Sequence, residues 1–272
     1  MTSPTEISVQ QLSKLIGTHN CPKIIDVRID EDFNADPFLI PGAIRHPFDD
    51  VSSLAPSLAG QSVVLYCQKG LKISQGAVAI LRTMGINAEN LKGGQFAWAD
   101  AKLPQITNSI LPPRNQFGQT VWVTPHRPKI DRIACPWLIR RFVDPNAQVL
   151  FVAPSQVVLV AEKFNATPFD VEDVFWSHRG DDCTFDTMVK EFGLQTDAML
   201  RLADVVRGAD TNSHELAPEC AGLLAISVGL SRLYKDDLEQ LEAGLMLYDA
   251  LYRWARDGFD EGHDWPNMRA KS

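Results

Sequence analysis

Cys67 is the residue whose type and setting most directly indicate chemistry. It follows the apolar run VVLY at 63–66 and precedes a loop with a glycine and two lysines. A buried strand that ends at a cysteine, with a helix beginning near Ser74, directs several backbone N–H groups and the positive end of the helix at one point. The pKa of the Cys67 thiol is therefore expected to fall, and the same cradle could hold the extra anionic sulfur of a persulfide. The alternative is a buried structural cysteine beside two solvated lysines, Lys69 and Lys72.

A second cysteine, Cys135, lies in the most basic stretch of the second half, TPHRPKIDRIACPWLIRRFVDP at 124–145. Pro136 suits the first position of a helix, which would make Cys135 its N-cap and place Arg140 and Arg141 one turn later. A cysteine in that setting is a candidate for a second thiolate or for an oxyanion pocket. The alternative is a solvated basic helix face with a small apolar cap residue.

Imidazole and carboxylate groups concentrate in two further stretches, FWSHRGDDCTFDTM at 175–188 and VVRGADTNSHEL at 205–216. They predict a polar pocket and a divalent metal site with mixed nitrogen and oxygen ligands, completed by water. The predicted metal ligands are His178, Asp186 and Asp210, and the wider pocket adds Arg132, Cys135 and Cys183. Neither stretch has a fixed HxxxH-type spacing. The alternative is therefore that Thr184 caps a helix, that the aspartates interact with its dipole, and that a His–Asp hydrogen bond only pins helices to strands.

The elements that must position Cys67 alternate between strands and helices. The predicted buried strands are 24–27, 43–44 and 63–66, and the predicted helices are 9–16 and 74–84. Such alternation is typical of βαβ units in a parallel sheet. Residues 1–104 are therefore predicted to form an α/β domain with a parallel sheet and flanking helices.

A proline-rich stretch at 105–119 predicts a linker to a second domain at 120–272. The second domain is predicted to be α+β and mainly helical, opening with the strands VWVTP, VLFVAP and VFWS and turning helical after about residue 184. In its last helix, an apolar stripe from Leu238 to Ala255 indicates a face that packs on the core. A coiled-coil seam in a homodimer is the alternative for the same stripe.

Composition and charge limit the classes of function. The chain has 272 residues, 45% of them hydrophobic, which favours a globular protein of two domains. Neither a transmembrane run nor a secretory signal is recognisable, so a cytoplasmic protein is expected. The five cysteines are scattered and form no CxxC pair, which argues against a structural zinc site. The net charge of −8 argues against non-specific binding of nucleic acid.

Four motifs follow one another in the first half at suitable spacing. They are IIDVR at 24–28, IPGAIRHPF at 40–48, CQKGLKIS at 67–74 and LKGGQFAWADAKLP at 91–104. Together they resemble the rhodanese (sulfurtransferase) domain over about residues 5–104. The resemblance implies that Cys67 carries the sulfur, that Asp26 and Arg28 brace the site from below, and that the following loop cradles the sulfur. The loop residues are Gln68, Lys69, Gly70, Leu71, Lys72 and Ile73.

The loop departs from that family at one position. Many rhodaneses have arginine where Lys72 stands, and lysine lacks the bidentate fork that grips thiosulfate. Weak use of thiosulfate is therefore expected. The fold is shared with cysteine phosphatases, whose loop needs an arginine six residues after the cysteine, where this chain has Ile73. Phosphatase activity is therefore disfavoured.

Three segments of the second half resemble the C-terminal domain of the ChrB-like chromate-resistance proteins over about residues 120–232. They are RPKIDRIACPWLIRRFVDP, TPFDVEDVFWSHRGDDCTFD and VVRGAD. The resemblance implies a role in resistance to chromate, in some members through regulation of a chromate transporter. In some relatives a histidine stands in place of Arg207, and if that histidine is a metal ligand there, the site of this chain is altered.

The sequence is compatible with three functions. The first is a cytoplasmic sulfurtransferase that forms a persulfide on Cys67, uses a small anionic sulfur donor and a thiol acceptor, and is coupled to chromate, oxyanion or metal stress. The second is a non-catalytic redox or persulfide sensor, and the third is a metalloenzyme in the second domain with an auxiliary first domain. Close contact between the domains would favour delivery of sulfur to Cys135 or His178. An oxyanion such as chromate is the further candidate ligand, and neither a membrane nor nucleic acid is an expected partner.

Overall fold

The computed structural model describes residues 5–262, and in that part of the chain strands alternate with helices before a long helical stretch. The strands are β1 (Glu6–Ile7), β2 (Lys23–Asp26), β3 (Phe38–Leu39), β4 (Ala43–Arg45), β5 (Ser62–Tyr66), β6 (Asn87–Leu91), β7 (Ile106–Thr107), β8 (Val121–Pro125), β9 (Gln148–Val152) and β10 (Thr167–Pro168). The helices are α1 (Val9–Leu15), α2 (Asp30–Ala35), α3 (Ala55–Leu58), α4 (Lys72–Thr83), α5 (Gly94–Asp100), α6 (Asp131–Leu138), α7 (Val157–Phe164), α8 (Thr184–Glu191), α9 (Asp197–Asp210), α10 (Cys220–Leu233) and α11 (Asp237–Arg253). None of these helices is both long enough and apolar enough to cross a membrane.

The first domain is built on a five-stranded sheet with the strand order β1-β6-β5-β2-β4, in which every pairing is parallel. The central strands are apolar on both sides because helices cover both faces. Along β5, Val64 and Tyr66 pack with α1 and α5, whereas Leu65 packs with α4 on the opposite face, as does Cys67 just beyond the strand. The predicted α/β domain with a parallel sheet and flanking helices is confirmed.

The second domain contains a three-stranded parallel sheet of order β10-β8-β9 and is mainly helical after it, as predicted. In β8, Val123 packs with α7, whereas Trp122 packs with the layer formed by α6, α8 and α9. The strands predicted at VWVTP and VLFVAP are β8 and β9. The strand predicted at VFWS is wrong, because Trp176 makes only a single bridge to Phe169 while its ring stacks on Phe192 at 4.7 Å between centroids.

Helix α6 begins at Asp131, so the predicted N-cap at Cys135 is wrong. The residues before Pro136 are already helical because their apolar side chains are buried in the core. Pro136 lies inside the helix, where it has no N–H to donate, and the chain continues into a π-helical turn at Ile139–Val143. Ile130, which precedes the helix, has a left-handed φ of 33°, a costly conformation for a β-branched residue.

The two domains share one continuous apolar cluster, in which buried residues of α1 and α5 join those of α6, α9 and α11. Phe142 lies at this junction, with its ring centroid 5.4 Å from that of Tyr252. Both rings lie so close to Gly17 that a Cβ atom there would overlap them. The amide of Gly42 in the first domain donates a hydrogen bond to the carbonyl of Phe142. The second domain therefore covers the α1/α5 face of the first sheet.

The segment at 105–119 and the last helix complete the architecture. Within that segment β7 pairs antiparallel with β3, which lies between β2 and β4 in the chain. In α11 the side chains of Leu241, Leu245, Tyr248 and Tyr252 are buried, so the apolar stripe faces the core as predicted. Leu238, at the start of the stripe, is 51% exposed and does not take part.

Candidate functional site

The sulfur of Cys67 lies directly after β5, next to the N-terminus of α4, and the residue is only 5% exposed. The hydroxyl of Ser74 donates a hydrogen bond to Sγ at 3.1 Å. Burial opposes ionisation, but this hydroxyl and the backbone amides of Ser74, Leu71 and Lys69 outweigh it and lower the pKa of the Cys67 thiol. The strand–cysteine–loop–helix arrangement expected from the sequence is thus formed, and it favours the thiolate.

The other four thiols differ from Cys67 in this respect. Burial raises the pKa of Cys21 to about 12, and it also raises the pKa of Cys220. Burial and neighbouring aspartates raise the pKa of Cys135 and Cys183 well above the usual value of a thiol. Cys67 is therefore the one cysteine of the chain whose surroundings lower the pKa of its thiol.

Contacts with the segment that precedes and begins α5 fix the loop after Cys67. The amide of Gln95 donates a hydrogen bond to the Cys67 carbonyl at 3.0 Å, and the side-chain amide of Asn90 donates one to the Gly70 carbonyl at 2.9 Å. Gly70 has a φ of 65°, and a Cβ atom there would meet the amide nitrogens of Gly94 and Gly93 at 2.6 and 2.7 Å. These close approaches are the physical reason for the glycines of both segments.

Asp26 and Arg28 form a fully buried ion pair at the end of β2, the neighbour of β5. The guanidinium donates to both Asp26 oxygens, at 2.6 Å in the shortest contact, and also to the carbonyls of Asp36 and Phe38. Because nearly all donors are satisfied, the pair stabilises the strand ends beneath the loop and does not face the solvent. The structure thus places both residues on the strand next to β5, and their role in bracing the site stays a prediction.

The remaining loop residues form the rim of the Cys67 site. Lys69, Lys72 and Leu71 are exposed, and Gln68 and Ile73 are half-buried. Lys72 is the first residue of α4. Two cationic side chains beside the N-terminus of a helix give the entrance a positive character that favours an anionic donor.

In the second domain the structure brings His178 together with Asp210 and with two acids that the sequence did not single out, Asp131 and Asp170. The Nε2 atom of His178 lies 3.5 Å from the Asp131 carboxylate and 3.4 Å from each of the carboxylates of Asp170 and Asp210. Hydrogen bonding to Asp131 and then to Asp170 raises the pKa of His178 to about 10. Burial and the charges of Asp131 and Asp170 raise the pKa of Asp210 to about 7.

Asp131 and Asp170 were missed because each looked like an ordinary helix or turn residue. Asp131 is the first residue of α6, and its oxygens also accept hydrogen bonds from the amides of Thr184 and Phe185 at the start of α8. Asp170 follows β10, has a left-handed φ of 55°, and pairs with Arg132 at 2.6 Å. Their place after strands is the signal that could have identified them. Both residues follow the carboxyl ends of parallel strands, where ligands commonly bind.

Asp186, predicted to converge with His178 and Asp210, is instead held elsewhere. One of its oxygens accepts a hydrogen bond from the amide of Cys183, which is the N-cap of α8 in place of the predicted Thr184. The other oxygen pairs with Arg207 at 2.7 Å. Among the described residues, Asp186 is absent from the acids within 4 Å of the His178 ring, because it serves as a helix cap and ion-pair partner.

Cys135, predicted as a second thiolate, is wholly buried, and its pKa is raised by burial and by nearby aspartates including Asp131. Cys183 is equally buried, and its thiol donates a hydrogen bond to Asp186 at 3.2 Å. Burial and the raised pKa of both thiols disfavour a thiolate, so the structure does not support the reactive chemistry predicted at Cys135.

The parallel sheet, the strand–loop–helix at Cys67 and the glycines that hold its loop define an α/β domain built around a cysteine-containing loop. Residues 8–101 match the family described as the rhodanese-like domain, and residues 122–255 match the family described as the ChrB C-terminal domain. The chain therefore carries a rhodanese-like domain followed by a ChrB C-terminal domain.

Three individual proteins are similar to parts of this chain. The protein ChrB of Cupriavidus metallidurans is 33% identical over 139 residues, which are 50% of this chain but only 41% of that protein. A rhodanese-like domain protein of Staphylococcus aureus is 28% identical, with 35% of this chain and 90% of that chain covered and a TM-score of 0.31. A thiosulfate sulfurtransferase of Pseudomonas aeruginosa is 24% identical, with coverage of 40% and 20% and a TM-score of 0.33.

Proposed function

We propose that the chain is a sulfurtransferase that carries sulfur as a persulfide on Cys67. The observation that carries this proposal is the convergence of the Ser74 hydroxyl and three backbone amides on the Cys67 sulfur. A cradle of donors that stabilises a thiolate also stabilises the terminal anionic sulfur of a persulfide, because the charge remains within the same ring of N–H groups.

The reaction consists of two sulfur transfers. The Cys67 thiolate attacks the outer sulfur of an anionic donor such as thiosulfate, a sulfur–sulfur bond to Cys67 forms, and sulfite leaves with the electron pair of the broken bond. In the second transfer a thiolate acceptor attacks the terminal sulfur, and the Cys67 thiolate leaves. Lys69 and Lys72 at the rim would attract the anionic donor, and the amides would hold the negative sulfur in both half-reactions.

The ChrB C-terminal domain supports a role for this chemistry in resistance to chromate or to a related oxyanion or metal stress. Chromate is an oxidant, so a cell that meets it benefits from a supply of sulfur and thiol equivalents. We propose that the first domain contributes to that supply while the second domain connects it to the stress. A comparison of chromate sensitivity between strains with the wild-type chain and with Cys67→Ser would test this role.

Intact mass spectrometry tests the sulfur chemistry directly. After incubation with thiosulfate, the wild-type chain should gain the mass of one sulfur atom, and a thiol or cyanide should remove it. Cys67→Ser should gain nothing, whereas the control Cys21→Ser should behave as wild type because the raised pKa of Cys21 keeps it protonated. A gain without turnover would favour the non-catalytic sensor, and an unchanged mass with several donors would refute persulfide formation.

A further inference from the structure

We infer that the second domain binds one divalent first-row metal ion through Asp131, Asp170 and His178, with Asp210 as the fourth ligand. One ligand atom from each of the first three residues can be chosen so that all lie within 4.8 Å of one another. Asp210 approaches the same imidazole nitrogen at 3.4 Å. Asp131 begins α6, Asp170 follows β10, His178 lies in the turn before α8, and Asp210 ends α9. These four parts of the chain are brought together only by the fold.

Three carboxylates surround the Nε2 atom of His178, and this number indicates a bound ion. An imidazolium Nε2 has a single N–H and can donate one good hydrogen bond, yet three carboxylates converge on it. All three separations are 3.4–3.5 Å, longer than the roughly 2.7–2.9 Å of a charge-assisted hydrogen bond. A single N–H of His178 therefore satisfies at most one of the three carboxylates well.

A metal ion accounts for the same distances. Ligands about 2.0–2.2 Å from a shared tetrahedral ion lie about 3.3–3.6 Å from one another. The separations between the His178 nitrogen and the three carboxylates have this length. The distances from the His178 nitrogen thus match those of a shared ion, and the carboxylates of Asp131 and Asp170 offer ligand atoms within 4.8 Å of it and of each other.

The charges of the side chains around His178 also favour a bound cation. When all three are ionised, as metal ligands are, Asp131, Asp170 and Asp210 bring three negative charges, and Arg132, paired with Asp170, returns one positive charge. A divalent ion with a neutral imidazole ligand would bring the whole group to neutrality. Asp210 is also the last residue of the 14-residue helix α9, where the helix dipole disfavours a carboxylate unless a cation is near.

A buried hydroxyl on the same side of the sheet is a further indication. Thr124 is fully buried, and its Oγ1 has no hydrogen-bond partner among the described residues. By alternation along β8 it lies on the face that carries Trp122, beside the end of β10 from which Asp170 emerges. Burying an unpaired hydroxyl is unfavourable, and an ordered water at this end of the sheet would satisfy it.

The ligand set indicates the kind of ion. One imidazole and three carboxylates suit Zn²⁺ or Mn²⁺, and among the described residues no sulfur atom belongs to the set. The His178 side chain is 43% exposed, so the ion would be open to solvent on that side and could keep a water ligand.

Titration of the full-length chain, stripped of metal with a chelator, tests the inference. We expect one equivalent of Zn²⁺ or Mn²⁺ by calorimetry, one equivalent of Co²⁺ by its visible absorption, and a raised unfolding temperature with each. His178→Ala and Asp210→Asn should each weaken binding by about 100-fold or more. Asp131 is left intact because it also caps α8.

The exposed His214 and Asp181 supply matched controls, and His214→Ala and Asp181→Asn should bind as wild type. Circular dichroism would verify that each variant is folded. The absence of saturable binding, or binding that His178→Ala leaves unchanged, would overturn the inference. Binding lost in His178→Ala but kept in Asp210→Asn would support the three-residue core and remove Asp210 from the ligands. Persulfide formation on Cys67 is read out separately, so the two proposals can fail independently.

Discussion

At the scale of single residues, Ser74 sets the reactivity of Cys67. Its hydroxyl is 3.1 Å from Sγ and is one of the donors that lower the pKa of the thiol. In Ser74→Ala, alkylation of Cys67 by iodoacetamide at neutral pH should slow by about tenfold, since a hydrogen bond to a charged group contributes about 1.5 kcal/mol.

The pH dependence of Cys67 alkylation shows in which direction Ser74 shifts the pKa of the thiol. Alkylation rises with pH as the thiolate forms, and because the pKa of Cys67 is lowered, the wild-type rise should be complete at lower pH than for an ordinary thiol. In Ser74→Ala the rise should move to higher pH. Profiles that coincide for the two proteins would show that the loop amides alone stabilise the thiolate.

Lys72 is the residue at which donor preference should be adjustable. It is exposed on the first turn of α4, where arginine would add a planar, two-point grip on the sulfonate oxygens of thiosulfate, worth about 1–2 kcal/mol. Lys72→Arg should therefore raise kcat/KM for thiosulfate roughly five- to thirtyfold. Steady-state assays decide this, with Lys163→Arg on α7 as the control. No gain would mean that the loop is shaped for another donor.

At the scale of elements, the glycine loop controls whether the cradle forms. Gly70 has a φ of 65° and no room for a Cβ atom against the amides of Gly93 and Gly94. Gly70→Ala should lower the free energy of unfolding by about 1–2 kcal/mol or more and abolish the enhanced reactivity of Cys67.

The matched control for that substitution lies in the adjoining helix. Gly76 is inside α4, and nothing stands within 4 Å of the place of its Cβ atom. Gly76→Ala should leave Cys67 reactive and stabilise the chain by about 0.5–1 kcal/mol, because glycine is a poor helix former. Urea unfolding curves and alkylation rates measure both effects. Equal stabilities and equal alkylation rates in Gly70→Ala and Gly76→Ala would contradict the proposal that Gly70 is needed to form the loop around Cys67.

The two sites could be predicted from the sequence to different degrees, because their elements are arranged differently along the chain. The Cys67 site was predictable because strand, loop and helix are consecutive, so local order determines which amides face the sulfur. The cluster at His178 was predictable only in part, since Asp131 and Asp170 are 39 residues apart and meet through the pairing of β10 with β8. Asp186 was chosen for its nearness in the sequence, but the start of α8 uses it as a cap.

At the scale of the whole molecule, the shared core should make the two domains unfold together. Phe142 lies at the junction, against Tyr252 and Gly17. Phe142→Ala should destabilise the chain by about 3–5 kcal/mol through the cavity it leaves. Calorimetry should show one transition for the wild type and one, at lower temperature, for the variant. Two separate transitions in the wild type would show that the halves are energetically independent.

The layering of the first domain has a consequence for how sulfur moves. Cys67 packs on the α4 side of the parallel sheet, whereas the second domain covers the α1/α5 side. The sheet thus stands between the side chain of Cys67 and the core that the second domain shares, and Cys135 is buried in the interior. Direct transfer of sulfur from Cys67 to Cys135, which the sequence favoured, would therefore require these buried layers to open. Any sulfur that Cys67 carries would instead meet an acceptor from solution at the exposed rim formed by Lys69, Leu71 and Lys72.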